Sequence, residues 1–170
     1  QEIPENLFFS YVLPYANLNE TVESWRLDFF NKFYPMVKDM QSAYDAVVFL
    51  NQKIFDELGV IYSTKRPKAD QSPYESINAG MASCTGLSIL LIDVCRSVGI
   101  PARFVGTPSW YNNSGNHSWV EIWDGEWHFT GAAEPTEDRL NESWFEDLAS
   151  KAEKGSDKYG IFAATWEHTD

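Results

Sequence analysis

The protein has 170 residues, of which 44% are hydrophobic and 15% aromatic, enough to bury the core of one globular domain. Its formal net charge of −12 disfavours nucleic acids and anionic membranes as partners, because like charges repel. No apolar run approaches the roughly 20 residues of a membrane-spanning helix, so we expect no membrane span.

The chain begins at Gln1 rather than at Met. This start fits a mature form whose leader was removed, so we expect an exported protein of the periplasm, the cell surface or the medium. We expect one monomeric domain over residues 1–170. Its parts are helical over 1–98, sheet-rich over 99–135, and a helix and a strand over 136–170.

The N-terminal part of the chain has the residue spacing of helices. Residues 20–34 predict a helix that stops at Pro35, which cannot continue one. A second helix is predicted to start after the capping residue Ser42 and to end at Gly59. The segment that follows, up to residue 71, predicts a strand-like or irregular connection.

Two further helices are predicted by their first and last residues. Ser72-Pro73-Tyr74-Glu75 combines a capping Ser, a Pro at the first helical position and a Glu that reaches back, and Gly80 ends this helix. The next helix is predicted to begin near Ser83 and to end at Gly99, before Pro101.

The residue pattern then changes from helical spacing to the alternation of strands. Strands are predicted at ARFVG (102–106), HSWVEIW (117–123) and EWHFT (126–130), the last two joined by a two-residue turn, Asp124-Gly125. A helix over 137–154 and a strand over YGIFAATW (159–166) follow. Because helices come first and an antiparallel sheet after them, the predicted fold class is α+β.

The two cysteines, Cys84 and Cys95, lie on one predicted helix. A separation of eleven residues is a rise of ~16 Å, whereas a disulfide needs Cα atoms within about 7 Å. The two thiols therefore form no disulfide and share no metal ion. Cys95 has apolar neighbours at helical spacing, so we interpret it as a small core residue.

Cys84 is a candidate nucleophile because it follows the capping Ser83 in the first helical turn. Free backbone N–H groups and the positive end of the helix dipole favour a thiolate there. The same N–H groups can hold an oxyanion. The alternative interpretation is a small residue that merely starts a helix.

A nucleophilic cysteine needs a base, and the chain has three histidines, His117, His128 and His168. His117 opens a predicted strand beside a polar loop, where a helix packed on the sheet can bring its first turn. The alternative is a surface strand residue. His128 lies within the predicted hairpin, and His168 lies close to the C-terminus.

Several motifs in sequence order resemble the transglutaminase-like core, a superfamily that includes animal transglutaminases, peptide N-glycanases and many bacterial proteins. They are Cys84 at a helix start, Gly99-Ile-Pro-Ala-Arg103, the strand His117-Ser-Trp-Val-Glu121, and Gly125-Glu-Trp127. The similarity covers about residues 72–135. It implies a papain-like fold with the Cys-bearing helix packed on an antiparallel sheet, Cys84 as nucleophile and His117 as base.

The third residue of the implied triad departs from the family pattern. The family's Asp follows the Trp of Gly-x-Trp by four residues, which here is Gly131. A two-residue hairpin turn would pair Trp119 with Thr130 and place Thr130 on the face of His117. The remaining alternatives are Glu134, brought back by a bend after the strand, Thr130, or a backbone carbonyl that orients the imidazole.

Other residues are candidates for substrate binding. They are Gln71, as a second oxyanion donor, Trp110 and Trp119, as walls of a cleft, and Thr130. For Gln71 the alternative is a loop residue, and for the tryptophans it is core packing. Arg103 is expected to anchor an ion pair.

The predicted function is that of a cysteine enzyme that acts on amide or peptide bonds through a thioester, as a hydrolase or an acyl transferase. The expected substrate is a peptide or protein, which can carry a glycan, and no cofactor or metal is expected. The alternatives are a catalytically impaired domain that binds peptide or carbohydrate, and a scaffold domain of a longer chain.

Overall fold

The computed structural model describes residues 3–167, so His168 lies outside the described residues. The helices are α1 (Glu5–Tyr11), α2 (Arg26–Val37), α3 (Ala43–Leu58), α4 (Pro73–Ala79), α5 (Cys84–Ser97) and α6 (Glu146–Ala149). The strands are β1 (Ile61–Tyr62), β2 (Met81–Ala82), β3 (Ala102–Thr107), β4 (His117–Trp123), β5 (Trp127–Thr130) and β6 (Phe162–Ala163). Within residues 3–167, no helix is both long and apolar enough to cross a membrane.

The main sheet has four strands in the order β5-β4-β3-β6, and every neighbouring pair is antiparallel. A separate parallel pair, β1 with β2, lies just before α5 in the chain. Helices therefore precede the antiparallel sheet and pack against it, which confirms the predicted α+β class.

The helix α5 forms the centre of the molecule. Every residue from 86 to 97 is buried, and the helix contacts α2, α3, α4 and the strands β3 and β4. A helix with apolar residues on most of its sides has to be buried on those sides, which explains why it lies between the other helices and the sheet. Its first residue, Cys84, is consequently held at a fixed position above the sheet.

The predicted ends of three helices are confirmed because they depend on local hydrogen bonds. Ser42 accepts from the N–H of Asp45 at 3.0 Å, and Gly59 ends α3 with a φ of +67°. Ser72 and Glu75 form the reciprocal capping box of α4. Ser83 caps α5.

The predicted first helix is wrong at both ends. α2 begins at Arg26 rather than at residue 20, and it continues through Pro35 to Val37. Pro35 lies within the last turn of the helix, where its missing N–H removes one hydrogen bond. The next turn is still closed by the N–H of Lys38, which donates to the carbonyl of Tyr34 at 2.9 Å.

The predicted helix over 137–154 is also wrong, since only α6 is helical there. Glu137 and Asn141 have φ values of +50° and +62°, which a right-handed helix does not allow. A tight turn in which the N–H of Arg139 donates to the carbonyl of Thr136 occupies the segment instead. The predicted C-terminal strand is reduced to the two residues of β6, which pair with β3.

The hairpin between β4 and β5 has a register one residue away from the predicted one. Trp123 pairs with Trp127, and Val120 pairs with Thr130, because three residues rather than two connect the strands. A shift of one residue moves a side chain to the other face of a sheet. Thr130 therefore shares the face of Val120, and not that of His117.

Candidate active site

Cys84 occupies the first position of α5, where the backbone is fixed by the cap. The hydroxyl oxygen of Ser83 accepts from the N–H of Gly86 at 3.1 Å, and the hydroxyl donates to the carbonyl of Ala69. Cys84 is half-buried, so its sulfur lies at the surface of the helix packing rather than within the core. The free N–H groups of the first turn surround the sulfur with positive potential.

His117 is the first residue of β4 and lies beside the start of α5. It pairs with Thr107 of β3, and only 6% of its surface is exposed. The next residue, Ser118, shares a hydrogen bond of 3.1 Å with Thr85, the neighbour of Cys84. The sheet thus presents the start of β4 to the first turn of α5.

The thiol of Cys84 and the imidazole of His117 lie close enough together for each to shift the pKa of the other. Burial raises the pKa of the Cys84 thiol, but hydrogen bonds with His117 and Ser118 and the charge of His117 outweigh it, so the pKa lies below its ordinary value. Burial lowers the pKa of His117, but Cys84 and Glu134 together raise it to about 9. Both shifts favour a thiolate paired with an imidazolium.

Glu134 contacts the other side of the imidazole. The Nε2 atom of His117 donates to Oε2 of Glu134 at 3.2 Å, which leaves Nδ1 as the ring nitrogen for Cys84. A tight turn after β5 brings the carboxylate back: Ala133 has a φ of +61°, and the N–H of Glu134 donates to the carbonyl of Gly131 at 3.1 Å. The Glu134 side chain remains 34% exposed.

Asn51 of α3 holds this turn in place. Its Nδ2 donates to the carbonyl of Gly131 at 2.9 Å and to the hydroxyl of Thr130 at 3.0 Å, and its Oδ1 accepts from the N–H of Ala133 at 2.9 Å. Asn51 is buried, so these three hydrogen bonds form away from water. The helix α3 therefore positions Glu134 through the backbone of the turn.

Aromatic side chains surround the imidazole on the face opposite α5. Trp110 and Trp119 are each only 4% exposed and pack with Phe145 beneath His117. Trp110 and Trp119 pack with Val105 and Phe145 into a second apolar cluster, which favours core packing over the predicted open cleft. Trp144, by contrast, is 60% exposed, and its ring centroid lies 4.9 Å from that of His117.

The predicted substrate contacts of Gln71 and Thr130 are also contradicted. Gln71 is buried, and its Nε2 donates to the carbonyls of Met81 at 3.0 Å and Glu75 at 3.3 Å, so this amide is not free to bind an oxyanion. Thr130 is buried against Asn51 on the other face of the sheet. Both residues support the backbone around the site instead.

The remaining thiol, histidine and arginine lie outside this cluster. Cys95 is fully buried in α5, and burial raises its pKa to about 12. His128 Nδ1 accepts from the amide of Asn141 at 2.8 Å. Arg103 forms the expected ion pair, with Glu121 at 2.6 Å. Over residues 3–167, no three His, Cys, Asp or Glu side chains are grouped so as to hold a metal ion.

Three residues of the site were missed by the sequence analysis, namely Asn51, Ser118 and Trp144. Ser118 could have been found, since it is next to His117 in the strand. Asn51 could not, because it looks like any polar residue of an amphipathic helix, and its role depends on where the turn after β5 lies. Trp144 was assigned to a predicted helix that does not form.

The sequence also matches a known protein family. The family model of the transglutaminase-like superfamily matches residues 34–132, more than half of the chain, and this segment contains Cys84 and His117. No curated protein matches the sequence.

Three solved structures are similar to this chain. A cysteine protease candidate from Cytophaga hutchinsonii has a TM-score of 0.54 at 20% identity, over 65% of this chain and 38% of that one. A structure described as a TGase has a TM-score of 0.51 at 15% identity, over 86% of this chain and 46% of that one. The periplasmic domain of TgpA from Pseudomonas aeruginosa has a TM-score of 0.49 at 18% identity, over 73% and 47%.

The chain spans less than half the length of each of these structures. The two with TM-scores above 0.5 share its fold. The match of the family model covers the helix that begins with Cys84 and the strand that begins with His117. The chain therefore belongs to the transglutaminase-like superfamily.

Proposed function

We propose that this chain is a cysteine enzyme that cleaves amide or peptide bonds through a thioester. Cys84 is the nucleophile, His117 the acid and base, and Glu134 a positioning residue. The observation that carries the proposal is the place of the imidazole, which has the Cys84 thiol on one side and the Glu134 carboxylate on the other, at 3.2 Å.

In the first half-reaction, the Cys84 thiolate attacks the carbonyl carbon of the substrate. A sulfur–carbon bond forms, and the carbonyl electron pair moves to oxygen, where the first-turn N–H groups of α5 stabilise it. When this pair returns, the carbon–nitrogen bond breaks. The imidazolium of His117 gives its proton to the leaving nitrogen, and a thioester remains on Cys84.

In the second half-reaction, neutral His117 takes a proton from water as the water oxygen attacks the thioester. The carbon–sulfur bond breaks, a carboxylic acid leaves, and the thiolate–imidazolium pair is restored. An amine in place of water gives acyl transfer. We favour hydrolysis because the site is open to solvent, with Glu134 34% and Trp144 60% exposed.

Glu134 acts through His117 and does not touch the substrate. Its carboxylate accepts from Nε2, which fixes the orientation of the ring, and its charge favours the protonated imidazole. The alternative of a catalytically impaired binding domain rested on the lack of an acid at position 130 or 131. The contact of Glu134 with His117 supports the enzyme instead.

The test is the reactivity of Cys84 towards iodoacetamide at pH 7, measured by peptide mass mapping. We expect Cys84 to react roughly tenfold or more faster than glutathione, and His117→Ala to abolish the difference. Buried Cys95 is the internal control and stays unlabelled while the protein is folded. A folded protein whose Cys84 reacts no faster than glutathione would contradict the proposal.

Turnover is measured on glutamine-containing peptides. Hydrolysis of the side-chain amide adds about 1 Da, cleavage of the backbone gives two fragments, and transfer gives an adduct with an added amine. Cys84→Ser is the control for each product.

We further propose that the protein is a monomer in an exported compartment and that its substrate is a peptide or protein, with or without a glycan. Sedimentation tests the monomer, and cell fractionation tests the location.

A further inference from the structure

A cavity of about 330 Å³ lies on the side of the sheet that faces α5, next to the candidate active site. Its volume is at the lower end of the roughly 300–1,000 Å³ of ligand pockets, which suits one side chain rather than an extended ligand. The loop residue Leu18 and both residues of β6 contribute to its lining.

The cavity is continuous with the environment of the nucleophile. Three of its lining residues are Thr85, His117 and Ser118. Thr85 follows Cys84 in the chain and shares a hydrogen bond of 3.1 Å with Ser118, and the charge of His117 lowers the pKa of the Cys84 thiol. A group that is attached to a carbonyl at the sulfur can therefore enter this cavity without passing another element of the fold.

Apart from the imidazolium of His117, the lining is uncharged and mainly apolar. Leu18, Phe104, Pro108, Phe162, Ala163 and Ala164 supply carbon surface, and the polar lining residues are Thr85, Thr107, Asn116, Ser118 and the active-site His117. Although the chain is rich in Asp and Glu, no carboxylate of residues 3–167 lines the cavity. A cationic group would find no counter-ion there, and the net charge of −12 disfavours an anionic group.

Gly106 of β3 makes room for the cavity. A Cβ atom at this position would lie 3.0 Å from the carbonyl oxygen of His117, 3.4 Å from the ring of Phe104 and 3.5 Å from Oγ of Ser118. A glycine within a strand is unfavourable unless something approaches its backbone closely. Glycine at this position therefore allows β3 to approach the start of β4 closely, beside the cavity that Gly106 lines.

We propose that this cavity is a specificity pocket that binds an uncharged, apolar side chain of a peptide substrate next to the carbonyl that Cys84 attacks. The inference rests on the proposed function, because the pocket matters for catalysis only if Cys84 is the nucleophile. It adds the class of substrate, namely peptides with an aliphatic or aromatic residue beside the cleaved bond.

The test uses iodoacetamides that differ only in the group on nitrogen: none, isobutyl, aminoethyl or carboxymethyl. The rate at which each labels Cys84 is divided by its rate with glutathione, which removes differences in chemical reactivity. We expect the isobutyl reagent to exceed the unsubstituted one by roughly tenfold or more, and the two charged reagents to show no gain.

Leu18→Lys tests the position of the pocket. Leu18 is 41% exposed, so the change does not threaten folding. We expect it to reduce the preference for isobutyl and to raise that for carboxymethyl. The matched control is Leu27→Lys, an exposed leucine of α2 outside the cavity, which leaves all four ratios unchanged.

Equal ratios for all four reagents, or the same response in both variants, overturn the pocket. The rate ratios between the reagents do not depend on the absolute rate at which Cys84 is labelled. The proposed pocket and the proposed enzyme can therefore fail separately. Fast labelling of Cys84 with equal ratios for all four reagents overturns the pocket but still supports the proposed enzyme. Slow labelling with an isobutyl preference supports the pocket and overturns the enzyme.

Discussion

The carboxylate of Glu134 lies over Gly131, in the space where a side chain at position 131 would begin. A Cβ atom at Gly131 would collide with Oε2 of Glu134 and would lie 3.0 Å from its Cβ. Position 131 is where the family pattern places the third residue of the triad. In this chain, the carboxylate beside His117 belongs to Glu134, three residues further along the turn, and it reaches back over the glycine.

Gly131→Ala is expected to impair the site by displacing Glu134. The backbone of Gly131 has no positive φ, so the strain on alanine comes from the Glu134 side chain above it. We expect the pKa of His117 to fall from about 9, since the displaced carboxylate no longer supports the imidazolium. NMR titration of the imidazole measures this, with peptide turnover as the second readout.

A double-mutant cycle gives the control for that substitution. In a Glu134→Ala background, Gly131→Ala removes nothing further, so its effect on the His117 pKa is expected to vanish. If Gly131→Ala acts equally in both backgrounds, it disturbs the fold of the turn rather than the carboxylate.

A carboxylate supplied from position 131 is expected to replace Glu134. Glu134→Ala alone should lower turnover by roughly 10²-fold or more, because the imidazole loses the group that orients it. Adding Gly131→Asp places an acid where the family pattern has one, over space that the shortened side chain has vacated. We expect the double variant to recover at least tenfold over Glu134→Ala, a gain of about 1.4 kcal/mol. No recovery would show that the acid works only from residue 134.

The pH dependence of turnover is expected to follow the pair of Cys84 and His117. Activity should rise as the thiol ionises, below its ordinary pKa, and fall above about pH 9 as the imidazolium loses the proton it gives to the leaving group. In Glu134→Gln, which keeps the shape of the side chain but not its charge, the upper limb should move to lower pH. An unchanged upper limb in this variant would exclude Glu134 as the group that raises the His117 pKa.

Asn51→Ala is expected to reduce both stability and activity. The substitution removes three buried hydrogen bonds to the turn that carries Glu134 and leaves their partners unsatisfied, at a cost of about 1–3 kcal/mol in unfolding free energy. Turnover and the His117 pKa should fall as well, measured on protein shown to be folded. Asn31→Ala, at an exposed position of α2, is the matched control and should change neither.

The sequence predicted those features that a few neighbouring residues determine. The cap at Ser42 and the capping box at Ser72 and Glu75 depend on hydrogen bonds within one turn, so they could be read directly. The start of α5 at Cys84 was found for the same reason.

Features that depend on one residue of register, or on distant contacts, could not be predicted in this way. A third residue in the connection from β4 to β5 turned Thr130 away from His117. The burial of Trp110 and Trp119 depends on Phe145, which comes from a segment whose backbone was mispredicted. The hydrogen bond from Asn51 to the turn after β5 joins residues about eighty positions apart in the sequence, and no local pattern indicates it.

Asp93, in the middle of α5, provides a last prediction because it is fully buried. Asn17 donates to its Oδ1 at 2.9 Å. Within the described part of the chain, Oδ2 of Asp93 and Oδ1 of Asn17 both lack a hydrogen-bond partner. A proton on Oδ2 of Asp93 turns one of these two unpaired acceptors into a donor. Burial accordingly raises the pKa of this carboxyl well above its ordinary value, despite the charge of Arg96 nearby.

This carboxyl should make the protein less stable as the pH rises. Above the ordinary value of 3.8, the unfolded chain has lost the proton that the folded chain keeps, so the unfolding free energy falls by about 1.4 kcal/mol per pH unit up to the pKa in the folded state. Asp93→Asn keeps a donor at this place without a charge, so it should remove this slope and gain stability over the wild type with rising pH.

Urea unfolding at a series of pH values measures the difference in unfolding free energy between the two proteins. Asp56→Asn, at an exposed position of α3, is the control and should give a difference that does not change with pH. Parallel curves for Asp93→Asn and the wild type would mean that Asp93 is ionised in the folded protein, with Arg96 compensating its charge.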